Sequence, residues 1–210
     1  MIRLISVVTL PLVSKGIEWA VSRQEDIEGL VHGLDPQATV DLVREHPADV
    51  LLLDLGTGRP SRLTVLSEVV ARTPALRILV LGSPPDNELA LRLLNAGAHG
   101  YICQLCTTEE LLEAVRAVHR GERYLSSDFA RTIALEATRP SDALPHKVLS
   151  NREFEVFVRL AHGESPRSVA QTLGLAVSTV HTHRQRVLGK MGASRDADLI
   201  QYAIRHNIIA

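Results

Sequence analysis

Residues 50–56 read VLLLDLG. Four branched apolar residues ending in one carboxylate, Asp54, make the pattern of a strand buried on both faces of a parallel sheet, with the acid delivered to its C-terminal end. A carboxylate there does chemistry only if other segments place suitable groups beside it, so the flanks decide its role. Four more short apolar runs surround it: RLISVV (3–8), EGLVH (28–32), RILVL (77–81) and GYIC (100–103). Between them apolar residues recur at helical spacing, as in Leu89, Leu91, Leu93 and Leu94 after Asp86, or Leu111, Leu112, Val115 and Val118 after Thr108. Gly97 and Gly121 mark helix stops. The alternation predicts a doubly wound, five-stranded parallel α/β sheet over residues 1–122.

The remainder is of a different kind. After GERYLS an amphipathic segment at about 127–137 runs into ATRPSDALPHK, whose prolines and mixed polar residues read as a linker, so residues 123–146 connect two domains. Residues 147–210 carry no strand pattern, only four helical segments joined by short Gly-containing turns. With 45% apolar residues in 210, there is enough to fill two small cores. No apolar run approaches the ~20 residues of a membrane span, and MIRLISVVTLPLV is broken by Ser, Thr and Pro, so neither a membrane partner nor a secretion signal is expected. Two cysteines fit a reducing cytoplasm. The net charge of −1 hides an asymmetry: residues 144–210 hold nine Lys/Arg against five Asp/Glu, leaving the first 143 residues at −5. That split points to an acidic control domain and a domain that meets a polyanion.

In the second domain Ser150 and Glu153 form a capping box ahead of the stripe Val156, Phe157 and Leu160. A short helix (about 166–173), a turn at Gly174 and a longer helix (about 177–191) follow, which is a helix-turn-helix. In the longer helix Val180, Val187, Leu188 and Met191 form the packed face. His181, Thr182, Gln185 and Arg186 then point outward, with Ser178, Thr179, Arg184 and Lys190 at the flanks. Such a surface offers donors to phosphates and base edges with few acids to repel them. His181 and His183 do not form a metal pair, because residues two apart do not share a helix face.

LSNREFEVF, SPRSVAQTLG, STVHTH and VLGKMGA together resemble the LuxR-type helix-turn-helix of NarL/FixJ-type response regulators, across residues 147–209. The match rests on the Glu153 cap, the Thr179–Val180 pair, His183 and the GKMGA exit. The resemblance implies that helix 177–191 enters the major groove of double-stranded DNA. His181, Thr182 and Gln185 would face bases, while Arg167, Thr179, His183, Arg184, Arg186 and Lys190 would hold phosphates. It also implies that Leu199, Ile200, Ala203 and Ile204 pack the domain and pair it with a second copy, giving half-sites roughly ten base pairs apart or a multiple. A homodimer, or a heterodimer with another regulator, is the expected assembly. One departure is Ala176, where the family has a Ser cap, a change that typically costs ~1 kcal/mol.

The five βα units ahead of this domain look like the receiver domain of the same family, in which an aspartate ending the third strand accepts a phosphoryl group. Asp54 occupies that place. The reaction needs Mg²⁺ held by carboxylates and a fixed cation to neutralise the incoming phosphoryl oxygens. Where two acids follow the first strand of typical receivers, this chain has Val8 and Thr9. The Ser/Thr at the end of the fourth strand is Gly82, with Ser83 one place late, and the lysine after the fifth strand is Gln104. Leu55, Gly56, Thr57 and Gly58 replace the usual turn after the aspartate. Losing one preorganised charge partner commonly costs on the order of 10²–10³ in rate. The expectation is a degenerate receiver that keeps the fold without the aspartyl-phosphate switch, Asp54 serving instead as a partly buried acid that caps nearby amides. A conventional response regulator using Asp54, with Thr9 and Ser83 as partial substitutes, is the alternative.

Cys103 and Cys106 form a C-x-x-C at a strand end. Read functionally, a helix beginning near Thr107 or Thr108 lowers the pKa of Cys106 and makes a redox switch. Read structurally, Cys103 is a small core residue and Cys106 a loop residue. An oxidoreductase would use such a pair, but there is no Gly-rich phosphate loop after the first strand, and 3% aromatics leave little to stack a flavin. No enzyme activity, cofactor or metal is expected.

Overall fold

Asp54 closes a strand that is buried from end to end, β3 (Val50–Asp54). The computed structural model describes residues 1–33, 38–54, 62–82, 87–126, 129–131, 144–206 and 208–209. Around β3 the chain runs β1 (Ile2–Val7), α1 (Pro11–Val21), β2 (Ile27–Gly33), α2 (Thr39–Glu45), α3 (Arg62–Arg72), β4 (Arg77–Gly82), α4 (Asn87–Asn95), β5 (Gly100–Cys103), α5 (Thr108–His119) and β6 (Tyr124–Leu125). Every pairing is parallel, in the order β2-β1-β3-β4-β5-β6.

Period-two alternation divides the strand residues between two cores. Leu51, Leu53, Ile78 and Val80 face a cluster shared with α2, α3 and α4, whereas Val50, Leu52, Leu79, Leu81 and Ile102 face one shared with α1 and α5. Because the order reverses about β1, its neighbours β2 and β3 leave a crevice at their C-terminal ends, and Asp54 sits at that end.

The sheet has six strands where five were expected. After Gly121 (φ +85) the chain returns beside β5, the Tyr124 amide donating to the His99 carbonyl at 3.2 Å. Two residues are too few for alternation to show in a sequence. Of the segment expected at 127–137, residues 129–131 are helical, and the rest lies outside the described residues.

The chain divides into two compact units, the first made of Met1–Gly58 and Arg62–Glu136 and the second of Arg59–Ser61 and Ala137–Ala210. In the second, a 3₁₀ turn (Pro145–Val148) precedes α6 (Asn151–Ala161), α7 (Pro166–Leu173), α8 (Val177–Met191) and α9 (Asp196–Arg205). The capping box forms as expected. The Glu153 amide donates to Ser150 Oγ at 3.3 Å, and the Ser150 amide donates to Glu153 Oε2 at 2.8 Å. Gly174 adopts the left-handed conformation (φ 64) between α7 and α8, where a side chain would be strained. Phe154, Phe157, Val169, Val180, Val187 and Leu199 meet in one core. Among the described residues no helix is long and apolar enough to cross a membrane.

Candidate functional site

Asp54 is 1% exposed. Thr9, two residues past β1, donates its amide at 3.1 Å and its hydroxyl at 2.7 Å to Asp54 Oδ2. Gln104, the residue after β5, donates Nε2 to Oδ1 at 3.3 Å. The structure therefore gathers Thr9, Asp54 and Gln104, three positions from separate strand ends, with Thr9 and Gln104 both donating to the carboxylate. Val8 is fully buried in the cluster under α1 and α5. Gly82 ends β4 without a hydroxyl to offer, while Ser83 and the Leu55, Gly56, Thr57 and Gly58 turn lie outside the described residues.

The family resemblance implies Mg²⁺ at this end of the sheet, and the described residues do not fit it. A divalent hard cation needs several oxygen ligands, usually with more than one carboxylate. Among the described residues no group of three or more His, Cys, Asp or Glu side chains could hold a metal ion. Thr9 spends its hydroxyl proton on the same carboxylate that a metal would use.

Cys103 and Cys106 are half-buried and free, and Cys103 Sγ accepts a hydrogen bond from the Leu105 amide at 3.3 Å. Thr107 is the N-cap of α5, its hydroxyl accepting from the Glu110 amide, so Cys106 lies ahead of the cap rather than in the first turn. Burial, then the charges of Glu110 and Cys103, push the Cys106 thiol up to about 11, the opposite of the lowering expected from the helix dipole. A thiol with that pKa makes a poor redox sensor. Alkylation of Cys106 by iodoacetamide near neutral pH is expected to run roughly a hundredfold slower than that of free cysteine, because reaction follows the thiolate fraction. A rate equal to free cysteine, measured by peptide mapping, would contradict this.

On the second unit, α8 buries Val180, Val187 and Leu188 and turns its other side to solvent. Ser178, His181, Thr182, Gln185 and Arg186 are exposed, as is Arg167 on α7, and Thr179 is half-buried. The Thr182 hydroxyl donates to the Ser178 carbonyl at 3.1 Å, back along its own helix. Ala176 is the N-cap and supplies no side-chain cap. Three residues assigned to phosphates are placed differently from a free cationic fringe. Arg184 Nε sits 2.8 Å from Asp196 Oδ1 at the start of α9. Lys190 Nζ donates to Glu153 Oε2 at 2.6 Å. His183 is half-buried, its Nδ1 without a hydrogen-bond partner among the described residues. Burial, with the neighbouring Arg186 charge, lowers its pKa and keeps the imidazole neutral at neutral pH.

Glu153 was legible as a cap but not as an anchor for α8. Burial alone pushes its carboxyl up, yet the Lys190 ammonium and the Ser150 amide and hydroxyl outweigh that and hold it below the usual range. On α9, the four residues expected to pair copies divide in two. Leu199 and Ala203 are fully buried in the core of their own unit, so they present no surface to a partner, whereas Ile200 is half-buried and Ile204 is 54% exposed. The i, i+4 spacing of Leu199 and Ala203 puts both on the inward stripe.

Residues 9–116 match the response regulator receiver domain, and residues 147–203 match the bacterial regulatory proteins of the luxR family. The oxygen regulatory protein NreC of Staphylococcus epidermidis (strain ATCC 12228 / FDA PCI 1200) is 30% identical over 206 residues, covering 94% of each chain. NreC of Staphylococcus carnosus (strain TM300) is 28% identical over 207 residues, again covering 94% of each. In fold, the chain is similar to RcsB from Salmonella enterica serovar Typhimurium bound to promoter rprA in the presence of phosphomimetic BeF3−, with a TM-score of 0.74, 22% identity, and 96% and 97% of the two chains covered. A LuxR-family two-component response regulator from Aurantimonas sp. SI85-9A1 gives a TM-score of 0.63 at 27% identity, over 66% of this chain and 99% of that one. With a receiver sheet and a LuxR-type helix-turn-helix both matched and both built, this chain belongs to the DNA-binding response regulators of the LuxR/NarL family.

Proposed function

We propose that this response regulator binds specific DNA sequences as a dimer and does so without aspartyl phosphate at Asp54. The observation that carries the reading is the hydrogen-bonded network on that carboxylate. Thr9 and Gln104 hold Asp54 with neutral donors at the positions where the family places an acid and a lysine, and Val8 fills the other acid position with buried hydrocarbon. Among the described residues, a phosphoryl group arriving there meets neither a metal ligand set nor a lysine at the strand end, the two things its transfer needs.

DNA recognition rests on the exposed side of α8. His181, Thr182 and Gln185 supply base-edge contacts, and Arg167, Ser178, Thr179 and Arg186 supply phosphate contacts. In the unbound chain Lys190 and Arg184 act through Glu153 and Asp196, fixing α8 against α6 and α9. Dimerisation is supported by Ile200 and Ile204 on the outward side of α9. Structures of RcsB include a DNA complex and two dimers bound to two parallel DNAs, and we carry that mode over to this chain.

Selecting bound duplexes from random DNA with untreated full-length protein tests this. Enrichment of a two-fold symmetric site without any phosphodonor is expected. On that site Gln185→Ala should relax one base position at a cost of roughly 1–3 kcal/mol, while Arg186→Ala should weaken all sequences alike and lower the salt slope by about 1. Enrichment that appears only after phosphodonor treatment would establish the conventional reading through Asp54 instead.

A further inference from the structure

The 3₁₀ turn Pro145–Val148 stands directly ahead of α6, and the side chain that anchors it is a histidine. Lys147 and Val148 are exposed, whereas His146 is 4% exposed. His146 Nδ1 lies 2.7 Å from the Tyr202 hydroxyl on α9, which donates or accepts according to the tautomer. Tyr202 also meets Phe157 of α6, with ring centroids 6.3 Å apart, and His206 at the end of its own helix, with centroids 4.2 Å apart. The His146 and His206 rings are themselves 6.3 Å apart. An apolar side chain would suffice to anchor the turn. Two imidazoles add a response to protons between about pH 5 and 8.

His206 is half-buried, and burial first, then the His146 ring and the Arg205 charge, hold its imidazole below the ordinary value of 6.5. All three act in the same direction. The turn brings His146 and the exposed Lys147 to this stack, α9 brings Tyr202 and Arg205, and α6 brings Phe157, which carries no charge. Glu153 of α6 is engaged by Lys190 of α8, which also donates to the Val148 carbonyl of the turn at 3.4 Å. A proton added to His206 therefore sets a cation beside Arg205 and His146 in a half-buried place, which disfavours the docked turn.

We propose that His146, Tyr202 and His206 form an acid-sensitive latch that docks the 3₁₀ turn onto α9 at neutral pH and releases it on acidification. Undocking withdraws His146 and opens His206 to water, so the undocked state takes up a proton more readily than the docked one. The contribution of His206 to docking is complete above its ordinary value and is lost as the pH falls through the lowered one. Since α9 also presents Ile200 and Ile204, DNA binding by a dimer should weaken over the same pH interval. That consequence rests on the dimer reading, whereas the latch itself does not.

Amide hydrogen exchange of the full-length chain tests the latch at Lys147 and Leu149, whose N–H groups donate to the Leu144 and His146 carbonyls at 2.8 and 3.3 Å. Protection factors, which correct each rate for the intrinsic pH dependence of exchange, should fall roughly threefold or more in the parent between about pH 7.5 and 5.5. His206→Gln keeps a planar polar group that takes up no proton, and its protection should stay level. His183 on α8 is also held below its ordinary value, and comparison with His206→Gln cancels its contribution. Parent protection that does not fall, or His206→Gln protection that falls as far as the parent's, overturns the proposal. If His206→Gln does not fold, the chemical-shift titration of the His206 ring protons in the parent decides, a midpoint below 6.5 supporting the latch and one at or above it overturning it. Protection that falls while DNA affinity holds constant would support the latch and count against the dimer reading alone.

Discussion

Phe157→Ala is expected to unfold the helix-turn-helix unit under conditions where the parent chain is fully folded, leaving the receiver sheet intact. Phe157 is fully buried and packs at steep ring angles against Phe154 and Tyr202, with ring centroids 6.0 and 6.3 Å away. Removing a buried phenyl ring costs ~3–5 kcal/mol, because contacts are lost and the cavity collapses only in part. A domain of this size holds about 3–10 kcal/mol in all, so one substitution takes most or all of it. Urea unfolding followed by tryptophan reads the receiver unit alone, since Trp19 is the one tryptophan and lies on α1, whereas far-UV signals read the helices of both units, so a far-UV change without a tryptophan change belongs to the helix-turn-helix. The far-UV change that is not matched by Trp19 should move to lower denaturant while the Trp19 transition stays, and DNA binding should vanish with the former. Loss of less than about 1 kcal/mol would mean that Phe157 is not central to that core.

The second large effect belongs to Glu153. Glu153 is 4% exposed and serves three ends at once: its carboxylate accepts from the Ser150 amide ahead of α6 and from the Lys190 ammonium on α8, and its own amide donates to the Ser150 hydroxyl in the reciprocal cap. Glu153→Ala leaves the Ser150 amide without its acceptor and unties α8 from α6, which should cost ~2–3 kcal/mol. Lys190 is 42% exposed and is rehydrated when its partner goes, which keeps the loss from being larger. The pH dependence has a definite sign. Because the folded carboxyl is held below its ordinary value, its contribution is complete above an unfolded pKa of about 4.3 and is lost as the pH falls through the folded value. Glu153→Gln should remove that acid-side dependence while retaining part of the cap. A variant as stable as the parent at neutral pH would show that the bridge to Lys190 contributes nothing.

Features written within a few consecutive residues were legible in the sequence. VLLLD announces a strand buried on both faces, and SNRE announces a helix start, because each signal is local and the physics that reads it is local too. Lys190 is 37 residues from Glu153, and no spacing rule connects them. Thr9 and Gln104 read as losses of charge in the sequence; only their convergence on Asp54, across 45 and 50 residues, shows that they are hydrogen-bond donors to it. Gly82 likewise reads as a missing hydroxyl, whereas a Cβ there would stand 2.5 Å from Tyr101 Cζ. Leu199, Ile200, Ala203 and Ile204 are all apolar, so composition could not sort the inward pair from the outward pair. The helix phase sorts them once the core beneath is known.

DNA affinity on a selected duplex, measured before and after treatment with a small phosphodonor and Mg²⁺ and alongside Asp54→Asn, goes directly to the control of this regulator. Untreated, treated and Asp54→Asn chains are expected to bind within roughly twofold of one another, with no intact-mass gain at Asp54, because Thr9 and Gln104 already engage the carboxylate where an acid and a lysine would serve phosphoryl transfer. A full phosphoryl mass gain on Asp54 within minutes, joined to DNA binding that tightens on treatment and fails to do so in Asp54→Asn, would contradict it.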